Sequence, residues 1–282
     1  YFFLIIAIIF GIASNSFLKT TEGFSKLSPT IFSIVTISFN YNSLLGFILS
    51  IIIFGRLQIY YSEILHEATH FNFFRSFKLN SLISNIILYP FLLITVEKNR
   101  KSHFAHHKFK EGEKGFFTDE DPDTSMFSPN DFSLSNILKD LTGYTSIKFF
   151  FRKNIYNIKK SQRSISAFIF YNLYAFLFWF LIIVFTPHGI EILVCWGISA
   201  LTIYSFLNRV RIYLNHKNFN GNYNISRDIK SDILSNLFIS KMTLNHKMHH
   251  KYPSLPYRDL NKLAEEKMIP KDNCLSVIKM FI

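Results

Sequence analysis

The sequence predicts an all-α fold: an integral membrane helical bundle of about four spans in two hairpins, capped by a cytoplasmic helical domain that holds a histidine-rich di-metal site. Three observations carry this. Hydrophobic residues make up 49% and aromatic residues 17% of the 282 positions, and mean hydropathy is positive at +0.19. Charged residues make up only 18%, against about 25% in soluble domains, and they stand apart from the apolar runs. Eight of the ten histidines fall into three five-residue windows. Such a composition excludes a disordered chain. Cys195 and Cys274 supply neither a disulfide framework nor a Cys-x-x-Cys metal site, so nothing demands an oxidising compartment.

A bilayer core takes about 20 apolar residues per helix. The chain opens at Tyr1 within an apolar run, as expected if a piece precedes it, and has neither the basic n-region nor the cleavage site of a signal peptide. Tyr1 to Ala13 and Ile31 to Phe39 are apolar but short, and either can partner the next span. Leu44 to Phe54 continues past Gly55-Arg56 as the amphipathic stretch Leu57 to Leu65, which predicts a helix that leaves the membrane while still helical. Arg56 marks the exit, because an arginine at the bilayer centre costs about 2.5–3.5 kcal/mol on insertion scales. Leu79 to Val96 is interrupted by Ser81, Ser84, Asn85 and Pro90 and reads as an interfacial or buried helix. Ser166 to Phe185 and Ile190 to Leu207 flank the turn Pro187-His188-Gly189 and read as one tight transmembrane hairpin. Residues 1–282 then form a single domain: a first membrane hairpin region at 1–65, boxes one and two on the cytoplasmic side at 66–165, the second hairpin at 166–208, and a cytoplasmic cap with the third box at 209–282.

The formal charge is +12. The turns at Asn40 to Ser43 and Thr186 to Ile190 hold no Lys or Arg, whereas Lys98 to Lys114, Lys139 to Arg163 and Arg209 to Lys251 are rich in both. The positive-inside rule places these basic segments in the cytoplasm, where a solvated face near anionic lipid accounts for most of them. Nucleic acid is not an expected partner, since the aromatics sit in the apolar runs rather than in a basic groove.

The histidine windows are His66-Glu67-Ala68-Thr69-His70, His103-Phe104-Ala105-His106-His107 and His246-Lys247-Met248-His249-His250. On a helix, positions i, i+3 and i+4 share a face, so each box can aim two or three imidazoles at one point. Neutral imidazole is the commonest metal ligand and suits iron, copper, nickel and zinc. Clustered imidazoles in a cationic segment would repel once protonated, and coordination is the physical reason to tolerate them. Four ligands complete a tetrahedral zinc; eight or nine suit two metals. Convergence also requires all three boxes on one side of the membrane, which is why Leu79 to Val96 cannot span. Glu67 either holds a ligand imidazole in its tautomer or faces water. The acidic run Asp119 to Asp123 reads as a polar loop that pairs with lysines or caps a helix.

The sequence resembles the membrane-bound fatty acid desaturase family, the three-histidine-box di-iron enzymes that include related hydroxylases and carotenoid ketolases. The resemblance runs from about Gly55 to Lys262. It rests on Arg56 with the first box, Leu79-Asn80, Tyr89-Pro90, Arg100 with the second box, Asp121-Pro122-Asp123, the Arg-x-x-x-Asn-His stretch ending at His216, and the third box followed by Pro253-Ser254-Leu255-Pro256-Tyr257. It implies that His66, His70, His103, His106, His107, His216, His246, His249 and His250 are the ligands of two iron ions. Many bacterial relatives have an acidic residue where this chain has Asn215; an amide there can hold a metal-bound water or orient a ligand. His188, in the outer hairpin turn, is left over as an exposed histidine.

The resemblance further implies dioxygen as co-substrate, a lipid or acyl substrate, and desaturation of the acyl chain, with hydroxylation or ketolation of a lipid or carotenoid as the alternative. Electrons must come from a separate donor such as a ferredoxin or a b-type cytochrome, docking through complementary charge. The expected location is a bacterial inner membrane, or the endoplasmic reticulum of a eukaryote, with the active site on the cytoplasmic side. A distant alternative rests on His66-Glu67-x-x-His70 alone, the zinc-protease motif in which Glu67 would be the general base. That enzyme would have no use for the other two boxes.

Overall fold

A computed structural model describes residues 44–74, 76–107, 132–149, 165–216, 226–240 and 243–279. The apolar runs Tyr1 to Ala13 and Ile31 to Phe39 and the acidic run Asp119 to Asp123 lie outside them. The described residues are helical, without a β-strand: α1 (Leu44–Thr69), α2 (Phe77–Leu92), α3 (Val96–His107), α4 (Leu134–Leu141), α5 (Ile165–Phe185), α6 (Gly189–Leu201), α7 (Ile203–His216), α8 (Ile233–Phe238), α9 (His246–Lys251), α10 (Tyr257–Glu266) and α11 (Cys274–Lys279). Among the described residues, three stretches are long and apolar enough to cross a membrane: Leu44–Thr69, Ser166–Phe185 and Gly189–His216. A fourth is formed only if α2 and α3 are taken together, and that pair is bent by 91°.

α1 is the organising element, with α2, α3, α6 and α7 packed along it. Its 26 residues measure about 39 Å at 1.5 Å per residue, more than a hydrocarbon core of about 30 Å. The first turns expose Leu44, Leu45, Ile48, Leu49 and Ile52, an outward apolar face suited to lipid, whereas Phe54, Leu57, Ile64 and Ala68 are buried by protein. The helix runs unbroken through Gly55-Arg56, as its pattern predicts. The Arg56 guanidinium is held by protein through Nη2, which donates to the carbonyls of Asn236 (3.0 Å) and Ile239 (3.1 Å) at the end of α8.

Leu79 to Val96 is not one helix. α2 stops at Leu92, Leu93 adopts the left-handed region at φ 52°, and Val96 begins α3. Pro90 supplies part of the reason. It has no N–H for the Ile86 carbonyl, the bond an ordinary residue would make, and the Tyr174 hydroxyl donates to that carbonyl instead at 2.7 Å. The last carbonyls of a helix also lack intrahelical partners; the Trp179 indole donates to Pro90 O (2.8 Å) and the Trp196 indole to Phe91 O (3.3 Å). The interrupting Asn85 then starts α3, its Oδ1 accepting from Val96 N at 2.7 Å. After the bend, α3 brings His103 and His107 against the rings of His66 and His70.

The hairpin of α5 and α6 forms as predicted. Gly189 is required at the turn because a Cβ there would lie 2.6 Å from the Ile182 carbonyl. The helix of the second arm runs on past the predicted apolar stretch, which ends at Leu207. The helical run breaks at Thr202 and continues as α7 to His216, with Asn208, Arg209, Arg211 and Asn215 buried along the way. Hydropathy reports the cost of these groups in lipid and not their partners. Arg209 forms a bidentate ion pair with the fully buried Asp140 of α4, and the Arg211 guanidinium donates to Asn208 at 2.9 Å. A second core of Val210, Leu214, Ile229, Ile239, Leu244, Cys274 and Val277 ties α7 to the segment before box three and to α11.

Gly55 sits where α1 meets the start of α7; a Cβ there would lie 2.7 Å from Ile203 Cβ. Small residues let helices approach this closely. Gly55→Ala should lower thermal stability in detergent by about 1–3 kcal/mol, the usual cost of overpacking. An unchanged melting temperature would show that the two helices are not in contact here.

Candidate metal centre

Each box is aimed by the element that carries it. His66 and His70 lie at the C-terminal end of α1, whose last carbonyls are claimed by side chains from later in the chain. The Asn80 amide donates to Ala68 O (2.7 Å), and Arg100 donates to Thr69 O (2.9 Å) and Ala68 O (3.2 Å) while lying over the Phe71 ring. Asn80 Oδ1 accepts in turn from the backbone of Phe73 and Phe74. These contacts give physical meaning to the Leu79-Asn80 pair and to Arg100: both cap the helix end that presents box one. Box two rides on α3, box three on the six-residue helix α9, and His216 closes α7.

The histidines gather into two adjoining groups. His66, His70, His103, His107 and His249 form one, and His216, His246 and His250 the other; within each group the ligand nitrogens lie within 4.8 Å of one another. Nε2 of His107 is 2.9 Å from that of His103 and 3.1 Å from that of His249, while Nε2 of His246 is 2.7 Å from that of His216 and 3.1 Å from that of His250. The groups touch through the rings of His107 and His250, 4.6 Å between centroids. His106 is part of α3, but its side chain lies outside the described ones. His188 stands apart in the hairpin turn, paired with Glu191 at 3.4 Å and separated from His216 by the whole run of α6 and α7.

These spacings match a coordination shell. Metal–imidazole bonds of about 2.1 Å place neighbouring nitrogens about 3.0 Å apart at right angles and opposite ones about 4.2 Å apart. Hydrogen bonds between neutral rings cannot serve all of these atoms, because each ring has a single N–H to give. Nε2 of His70 is buried with no hydrogen-bond partner among the described residues, as expected of a lone pair reserved for a cation. Burial also keeps the rings neutral. Desolvation, with His66 and Arg100 adding to it, pushes His70 down to about 2. Desolvation followed by the surrounding imidazoles holds His249 well below its ordinary value.

Two further polar groups adjoin the ligands. Glu67 is buried, not facing water. Its Oε2 accepts from the Asn72 amide (3.0 Å) and from Tyr257 N (3.3 Å), and its Oε1 lies 3.8 Å from His66 Nδ1, beyond hydrogen-bond reach. It therefore links box one to the chain just after box three. Asn215 is completely buried, and both atoms of its amide lack a partner among the described residues. Sequence reasoning missed Asp228, whose carboxylate accepts from Lys247 N (2.9 Å) and Met248 N (3.3 Å) at the start of α9. No sequence signal marks it, since its partners are backbone groups.

Fold and site together define an integral membrane protein of apolar helices whose ends assemble a histidine cluster able to hold metal. The fatty acid desaturase profile matches residues 42–276, most of the chain, and the chain belongs to that family. It is accordingly a membrane oxidoreductase of the desaturase or hydroxylase type, with metal as cofactor and lipid as substrate. A small multidrug resistance protein profile matches residues 1–55, too small a share to show a family. Comparison with curated proteins and with solved structures returns no match.

The depressed histidines set a pH dependence for the metal-free protein. Their folded values lie below the ordinary 6.5, so the unfolded chain binds more protons and stability falls as pH drops through about 6.5. The melting temperature of the metal-free protein in detergent should decline from pH 8 to pH 5. A flat profile would show the rings to be solvated.

Proposed function

We propose that the chain is an oxygen-dependent di-iron desaturase that introduces a double bond into a fatty acyl chain or acyl lipid. The observation that carries this reading is the pairing of two imidazole groups in contact, one of five rings and one of three, in a member of this family. His66, His70, His103, His107 and His249 would hold one iron. His216, His246 and His250 would hold the other, with His106 as the fourth histidine of that site. Iron held there supplies dioxygen reduction and the removal of hydrogen from an unactivated methylene.

The protein's own part is placement and exclusion of water. The caps on Ala68 and Thr69 fix the direction of His66 and His70, and burial keeps the imidazoles in the neutral form that binds metal. Glu67 acts as a positioning residue between boxes one and three. Asn215, buried with an unspent amide beside His216, is placed to orient that ligand or a water next to it. In the same reading the spans and cap form one domain over 1–282, with 1–65 and 166–208 in the membrane and the basic segments on the cytoplasmic side. Electrons arrive from a ferredoxin or b-type cytochrome drawn by the net charge of +12.

Two readings compete. A lipid hydroxylase or carotenoid ketolase would use the same cluster and is separated by its product. A zinc protease would need Glu67 free to serve a metal-bound water, whereas its Oε2 is engaged by both Asn72 and Tyr257, and that enzyme would have no use for the second and third boxes.

Lipids from a host expressing the chain should contain a product lighter than its precursor by two hydrogens. Oxygenated products alone would overturn desaturation in favour of hydroxylation. His249→Ala should abolish turnover and lower bound iron without loss of membrane insertion, while His188→Ala should match the wild type in both. Full activity in the His249 variant would refute the site assignment.

A further inference from the structure

Box three lies on a helix of only one and a half turns, His246–Lys251, whose first residue has no side-chain cap from its own N-cap Asn245. Six residues do not hold a helix by themselves in water, and box three must nonetheless deliver three imidazoles. The second iron group also demands that His216 and His246, from different elements, stand with their Nε2 atoms 2.7 Å apart.

The segment 227–230 meets both demands. Arg227 N donates to the Asn215 carbonyl, one residue before His216, at 2.9 Å. Ile229 N donates to the Leu244 carbonyl, two residues before His246, at 2.7 Å. Between them the buried Asp228 accepts from Lys247 N and Met248 N through one carboxylate oxygen. The strap is itself anchored on the C-terminal side, where Asp272 N donates to Asp228 O and Lys230 N to Asp272 O, both at 2.8 Å. One short stretch of backbone thus grips the ends of the two elements that supply all of His216, His246 and His250.

We propose that Asp228 is the positioning residue of the three-histidine group, fixing α9 against α7 so that His216, His246 and His250 converge. The proposal rests on the di-iron reading above. It also assigns an asymmetry. Four of the five rings in the other group come from α1 and α3, which Asp228 does not touch, so its loss falls mainly on the three-histidine group. Outer partners of metal ligands commonly carry 10–100-fold in metal affinity.

The test compares full-length wild type, Asp228→Ala and Asp228→Asn, the last keeping an oxygen that accepts from Lys247 N and Met248 N. Iron in the purified proteins is measured together with amide hydrogen exchange over 244–252 after the metal has been removed. Asp228→Ala should hold about half the wild-type iron, as expected when one of two sites weakens by that factor, and Asp228→Asn should restore it. In the metal-free proteins the Lys247 and Met248 amides should exchange about tenfold faster in Asp228→Ala, since a charge-assisted bond is lost. Unchanged exchange overturns the proposal whatever the iron content, as does wild-type iron affinity in Asp228→Ala. If Asp228→Ala fails to accumulate, Asp228→Asn decides alone: moderately faster exchange with iron retained supports the role, and exchange equal to wild type refutes it. A wild type that takes up no iron would defeat the di-iron reading, and the exchange comparison would still judge the contact between Asp228 and α9.

Discussion

Everything in this molecule answers to one constraint: eight imidazoles must be held uncharged in two adjoining groups, with the nitrogens of each group within 4.8 Å of one another. Protonating any of them would set cations against one another in a poorly screened site. Burial prevents this, because removing water disfavours the charged form of a histidine. Burial in turn requires walls, and they come from helices that leave the membrane without stopping. α1 carries box one beyond its lipid-facing turns, and α7 carries His216 beyond the point where its apolar pattern ends.

Taking polar backbone out of water brings a second requirement, that every helix end be satisfied. The structure meets it with side chains from distant positions. Asn80 and Arg100 serve the last carbonyls of α1, Tyr174 serves the carbonyl that Pro90 leaves without a donor, and two tryptophans serve the end of α2. Asn85 and Asp228 supply acceptors at the starts of α3 and α9. The same bonds that satisfy these ends aim the histidines, since α1, α3 and α9 carry the boxes. Stability and catalysis are therefore not separable at these positions. Losing a cap would both expose a backbone group and turn a ligand away.

Much of this was legible beforehand. Apolar length marked α1, α5 and α6, and the i, i+3, i+4 spacing marked the boxes. The demand that the boxes meet argued against a span over Leu79 to Val96, and the two helices found there meet at 91°. What was not legible follows a pattern. That the second arm stays helical and buried past Leu207 was hidden, because Asn208, Arg209 and Arg211 raise the cost of burial and their compensation by Asp140 and by one another is a tertiary fact. The helix of Leu79 to Val96 was drawn too long because Leu93 carries no sequence mark of a left-handed turn. Glu67 stood open between facing water and facing a ligand, and only its contacts with Asn72 and Tyr257 turned it inward.

By itself the sequence determined the class of fold, the apolar segments described here and the three histidine boxes, because hydropathy and helical spacing are local properties that each segment carries with it. Tertiary structure alone decided how the histidines divide between two groups and which groups outside the boxes aim them. Those are matters of distance between segments far apart in the chain, set by bonds such as Asp228 to α9 and Arg209 to Asp140, and no local pattern encodes a distance.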